Sequence, residues 1–370
     1  MHGAELSPTT RPNMTQVSAP TDLRPLTALR FMAALWVVVF SFWPHLSTDW
    51  QPALVSKGYL GVELFFVLSG FILSHVYLER FGTKNASYRA FVWARLARIY
   101  PLQLATLLGV MALGLVAGAV GISISENVLD WKSFIANVFM VHAWGFTDTA
   151  GWNHPSWSVS AEWFAYLGFP AFALVSWKLK DRPYIALLLA AVFLVGLYEV
   201  FPRLAGFKLT EATYHWGILR IVPAFGYGCA LYLAFRKGGA KRPVLLSALA
   251  LAMLVFSAAF IDNDALIVLS AGSLIAALAC LSNKQAGPIA SAPAVWLGEI
   301  SYAIYMCCAP WLMVSTNLLA RLTGNTDKKF NLLIWLIIIA GLIAFAAVAH
   351  HLIERPARRF LRRVGPQQPT

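Results

Sequence analysis

The chain has 370 residues, of which 59% are hydrophobic and only 12% charged, with a formal net charge of +12. So few charges cannot cover a soluble globule of this size, and the composition identifies an all-α, polytopic integral membrane protein whose first partner is the lipid bilayer. The positive balance does not point to nucleic acid, because the basic residues sit beside apolar spans, where Lys and Arg act as topology signals.

Residues 1–22 are rich in Thr, Pro and Ser and are expected to form a disordered tail. The apolar run that follows is too long for a signal peptide and has no small-residue cleavage site after it. Spans of about 20 apolar residues are predicted at 26–46, 59–79, 98–120, 157–177, 183–201, 215–235, 243–261, 264–282, 293–320 and 331–352, which makes about ten transmembrane helices. The shorter apolar stretch at 131–146 reads as a re-entrant or surface helix. With the N-terminus inside, twenty Lys and Arg fall on inner segments and seven on outer ones, Arg30 and Arg220 remaining within spans. That asymmetry predicts that both termini are cytoplasmic. A single membrane domain is expected over 23–360, with a short tail at 361–370 and no internal repeat.

Five polar clusters interrupt these spans. In the first, Arg30 and Ser41 are eleven residues apart, about three turns and roughly 16 Å along one helical face, and His45 lies a further turn on. A charge inside a membrane segment is costly and marks a functional candidate by default, although an arginine near the interface can also snorkel. In the second span, Glu63 is a buried-carboxylate candidate, while Gly61, Ser69 and Gly70 permit close helix approach. Arg95 and Arg98, three apart before the third span, form a fork suited to phosphate groups, or else a simple cytoplasmic anchor. The segment from His154 to Trp163 puts Ser158 and Glu162 on one face and turns Ser160 away. A carboxylate there suits general acid–base catalysis, and a helix cap at Ser156 or Ser158 is the plainer alternative. Gly298-Glu299-Ile300-Ser301-Tyr302 opens the ninth span, and His350-His351 with Glu354-Arg355-Pro356 closes the tenth. Cys229, Cys280, Cys307 and Cys308 lie in apolar segments without metal-ligand spacing, so neither thiol chemistry nor a metal site is expected.

In their common order these clusters resemble the acyltransferase family 3 membrane proteins, over nearly the whole stretch from Leu26 to Arg359. The matching motifs are Gly61 to Gly70, Arg95-x-x-Arg98, Ser156-Trp157-Ser158-Val159-Ser160-Ala161-Glu162, Gly298 to Tyr302 and Glu354-Arg355-Pro356. The resemblance implies an inner-membrane enzyme that takes an acyl group, most often acetyl, from cytoplasmic acyl-CoA and delivers it to a hydroxyl of a cell-envelope or exported saccharide. No cofactor beyond the acyl-CoA donor is implied. The expected catalytic residues are Arg30, Ser41, His45 and Glu162; the expected substrate-binding residues are Glu63, Arg95, Arg98, His154, Trp157 and Ser158. Tryptophan faces stack on sugar rings, although Trp157 and Trp163 also suit an interfacial belt.

Two positions depart from the family pattern. The first helix of the family carries a catalytic His eleven residues after its Arg, where this chain has Ser41; a second His of the ninth span is replaced by Cys308. A serine cannot serve as base near neutral pH. His45 or His154 is therefore the expected displaced base, or the chain is a family member without activity. A transporter or flippase for an acylated or anionic solute is the reading from another class, since Arg30, Glu63, Arg220 and Glu299 also suit a conduction path.

Overall fold

The computed structural model describes residues 23–119, 128–147, 149, 151–238 and 240–368, so the expected tail at 1–22 lies outside the described residues. The described chain is almost wholly helical, because a backbone in lipid must satisfy its polar groups within its own segment. The helices are α1 (Arg24–Phe42), α2 (Gly61–Gly82), α3 (Tyr88–Ala119), α4 (Trp131–Val138), α5 (Ser156–Leu167), α6 (Phe169–Lys178) and α7 (Pro183–Ala205). They continue with α8 (Gly217–Arg236), α9 (Pro243–Phe260), α10 (Asp264–Ala279), α11 (Ala292–Thr323), α12 (Leu332–Ala349) and α13 (Arg355–Val364). Proline in the first turn starts α1, α6, α7, α9 and α11, where its missing N–H costs nothing. Side-chain caps start others: Asn263 accepts from Leu266 N and Asn331 from Ile334 N, each at 3.0 Å.

Eight of the described segments are long and apolar enough to cross a membrane, and the bent pair α5–α6 makes a ninth. Each of the ten expected spans has its helix here, with two corrections. The span at 157–177 is broken by 55° between α5 and α6, where Pro170 begins a new helix. The span at 264–282 yields a helix of only 16 residues, short of the roughly 20 a bilayer core requires. Beyond α12, residues His350–Glu354 form a π-helical turn that leads directly into α13. The expected boundary at residue 360 therefore falls inside a helix.

Large apolar side chains such as Leu188, Val192, Leu249, Phe256, Leu333 and Ile337 are exposed along α7, α9 and α12, as a lipid-facing surface requires. Two glycine contacts bring backbones together in the interior. A Cβ at Gly70 would run into the Phe225 carbonyl and one at Gly228 into that of Val67, so α2 and α8 pack backbone to backbone. Gly298 of α11 meets the Thr27 carbonyl of α1 in the same way. These contacts hold α1, α2, α8 and α11 close together and leave room for polar side chains where the helices diverge.

Candidate active site

Helices α1, α2, α3, α5 and α11 line one cavity of about 230 Å3. Its walls carry Arg30 of α1, Arg95 and Arg98 of α3, and Ser158 and Glu162 of α5, five of the residues singled out by spacing. Arg95 and Arg98 are three apart on one face of α3, and Ser158 and Glu162 are four apart on one face of α5. Ser160 is turned away, as expected: its hydroxyl donates to Met140 O at 2.8 Å and accepts from Ala143 N at 3.0 Å, tying α5 to the preceding loop.

The carboxylate side is built from hydroxyls. Glu162 Oε1 accepts a hydrogen bond from Ser69 Oγ at 2.6 Å and a second from the Tyr166 hydroxyl. Ser158 Oγ donates to the Tyr305 hydroxyl at 2.9 Å, which itself donates to Pro155 O at 2.9 Å, so α11 fixes the start of α5. The cationic side is open. Arg95 stacks 5.5 Å from the centre of the Tyr77 ring and reaches its hydroxyl at 3.4 Å, while its Nε is buried without a partner. Arg30 stands between the two sides, within Coulomb range of Arg98 on one hand and Glu162 on the other. Glu162 is the single carboxylate among the described residues lining the cavity, and no histidine lines it.

The other expected residues lie elsewhere. Ser41 is at the far end of α1 and does not line the cavity. His45 follows in a 3-10 turn, its Nδ1 2.9 Å from Lys328 O, where Ser47 and Phe330 backbones pair the end of α1 with the loop before α12. His154 is on the surface of the loop before α5. Glu63, 0% exposed, forms a two-pronged ion pair with Arg220, 2% exposed, the second prong from Nη2 to Oε2 at 3.0 Å. Arg220 also donates to Thr210 O and lies 4.6 Å from the centre of the Trp157 ring, whose edge-on neighbour is Phe66. Trp157 is thus engaged in an internal cation–π contact and not free on the cavity wall.

Ser69, Tyr166, Tyr302 and Tyr305 also line the cavity and were not among the expected site residues. Tyr166 follows Glu162 by four residues on the same face, a signal the spacing carried. Tyr302 sits inside the Gly298-to-Tyr302 motif, with its hydroxyl donating to Ile99 O at 2.7 Å. A further buried pair, outside the cavity, joins Ser156 Oγ to His142 Nε2 at 3.0 Å. Burial lowers the His142 pKa to about 4, so this imidazole is neutral.

A family model described as an acyltransferase domain matches residues 25–351. Acyltransferase MdmB of Streptomyces mycarofaciens is 28% identical, over 92% of this chain and 93% of that protein. Putative peptidoglycan O-acetyltransferase YrhL of Bacillus subtilis strain 168 is 25% identical, over 90% of this chain and 54% of the relative. Peptidoglycan O-acetyltransferase OatA of Listeria monocytogenes is also 25% identical, over 90% and 55%. The chain spans about half the length of these last two. No solved structure matches.

Proposed function

The chain belongs to the acyltransferase domain family, and from that premise we propose that it moves an acyl group, acetyl by analogy with its relatives' names, from acyl-CoA to a saccharide hydroxyl. The carrying observation is one cavity lined by three arginines and by one hydrogen-bonded carboxylate. Arg95 and Arg98 take the phosphates of the donor, for which a pair of guanidinium forks is well shaped. The acceptor hydroxyl lies against Glu162, which removes its proton as the oxygen attacks the thioester carbonyl. Arg30 faces the charge that develops on the carbonyl oxygen. Collapse breaks the C–S bond, and the departing thiolate takes the proton back from Glu162, leaving an ester and free CoA. Glu162 is preferred over His45 and His154 as base because it lines the cavity and they do not.

In this reading the protein sits in the inner membrane with both termini and the arginine side cytoplasmic, and the acceptor is a cell-envelope or exported saccharide. The closed Glu63–Arg220 pair supports catalysis over conduction, since each charge is already neutralised by the other. The test supplies labelled acetyl-CoA to inverted membrane vesicles and reads label in saccharide. Transfer by wild type and none by Glu162→Gln is the expected result. Failure of the wild type to transfer, with CoA still bound, would select a member without activity.

A further inference from the structure

Helix α13 carries Arg355, Arg358, Arg359, Arg362 and Arg363 in ten residues and buries none of its side chains fully. Such a helix would ordinarily lie free on the membrane surface, its charges facing anionic headgroups. Here it is clamped instead. Trp93 Nε1 donates to Leu361 O at 2.7 Å, and the Gln368 side chain pairs with both backbone groups of Ser87, at 3.0 and 3.1 Å. Trp93 lies two residues before Arg95 on α3, and Ser87 immediately precedes that helix. The clamp therefore holds α13 against the first turns of the helix that carries Arg95 and Arg98.

The face so presented carries Arg358 and Arg362, four residues apart and neighbours on the helix surface. Arg358 is half-buried and lies within Coulomb range of Arg98, Arg362 and Arg95. Arg362 is within range of Arg95 and Arg98. Arg30, Arg95 and Arg98 line the cavity, and Arg358 and Arg362 stand near the last two without lining it. Glu162 and Glu354 both act on Arg30, and Glu354 on Arg358, but the Glu354 carboxylate is engaged by His350 at 2.9 Å. Among the described residues, no carboxylate lies within ion-pair distance of Arg30, Arg95, Arg98, Arg358 or Arg362. Packing alone does not bring like charges near one another, since they repel.

We infer that Arg358 and Arg362 of the C-terminal helix complete, with Arg95 and Arg98, a four-arginine cradle for a ligand carrying several phosphate groups. A polyphosphate ester such as CoA can engage several guanidinium forks at once, whereas a phosphodiester lipid headgroup brings a single negative charge. This rests on the donor reading above and extends it, because the recognition of the donor then needs the end of the chain as well as the motif on α3.

The test uses the full chain in nanodiscs of neutral lipid, titrated with CoA and with inorganic pyrophosphate. Arg358→Ala/Arg362→Ala should weaken both ligands at least tenfold. Arg359→Ala/Arg363→Ala removes the same charge from another face and should change either less than twofold. Arg358→Lys/Arg362→Lys, which keeps charge but loses the forks, should fall between. Equal losses in the two alanine pairs, or wild-type affinity in Arg358→Ala/Arg362→Ala, would overturn the cradle while leaving the donor reading intact. If wild type binds pyrophosphate through these residues and CoA not at all, the cradle stands and the donor reading fails. Binding of neither ligand, with tight association only to phosphatidylglycerol surfaces, would make these arginines a lipid contact and end the proposal.

Discussion

Removing either partner of the Glu63–Arg220 pair should destabilise the protein more than removing both. Glu63→Leu leaves a guanidinium, 2% exposed, with no carboxylate and with Thr210 O and the Trp157 ring beside it. An uncompensated buried charge of this kind costs about 3–5 kcal/mol. Arg220→Met leaves the opposite problem, a carboxylate with 0% exposure and no cation. Glu63→Leu/Arg220→Met leaves neither charge. Its cost is the lost hydrogen bond to Thr210, about 1 kcal/mol, and the lost cation–π contact, about 1–2 kcal/mol. The double variant should therefore lie about 2–3 kcal/mol below wild type. The single changes sum to well over twice that, a coupling of roughly 3 kcal/mol or more. Reversible unfolding in mixed micelles, followed by tryptophan fluorescence, measures all four corners of the cycle. Additive losses would mean that the two groups do not depend on one another, and would refute the reasoning.

Glu162→Gln should lower acyl transfer by about 10²–10⁴-fold at matched membrane levels, while Ser41→Ala and His45→Ala stay near wild type; a His45→Ala variant as inactive as Glu162→Gln would return the base to His45. Gly228→Ala should cost about 1–3 kcal/mol in the same micelle assay, because the added methyl meets the Val67 carbonyl; an unchanged midpoint would deny the backbone contact. His142 titrates near 4 when buried and near 6.5 when exposed. Its neutral form therefore favours the closed loop above pH 6.5, and that stability is lost as the pH falls from 6.5 towards 4, by about 3 kcal/mol in all. Hydrogen exchange over 139–155 should quicken across this window, and His142→Gln should flatten the dependence; a pH-independent profile in wild type would count against the neutral buried imidazole.

Much of the architecture could be read from hydropathy, because every helix that crosses lipid must announce itself as an apolar run. The break between α5 and α6 could also have been read, from Pro170 following Gly168. The weak eighth span could not: the apolar run at 264–282 continues past Ala279, and only the backbone tells where the helix stops. At the site, Arg30, Arg95, Arg98, Ser158 and Glu162 were legible because helical spacing places each pair on a face. The partner of Glu63 was not, since Arg220 lies 157 residues away and no local period links them. Ser41 illustrates the limit of reasoning by face alone. It shares a side of α1 with Arg30, yet three turns of rise carry it roughly 16 Å beyond, past the end of the cavity.

The π-helical turn at His350–Glu354 sets the compass bearing of everything after it. A turn of this kind holds one residue more than an α-turn, and each residue in a helix advances the heading by about 100°. Shortening the turn by one would leave α12 in place and swing α13 by that angle. Arg358 and Arg362 would then point away from α3, and Leu361 would leave the Trp93 indole. The length of this five-residue segment, more than the identity of its residues, is what aims the last helix of the chain.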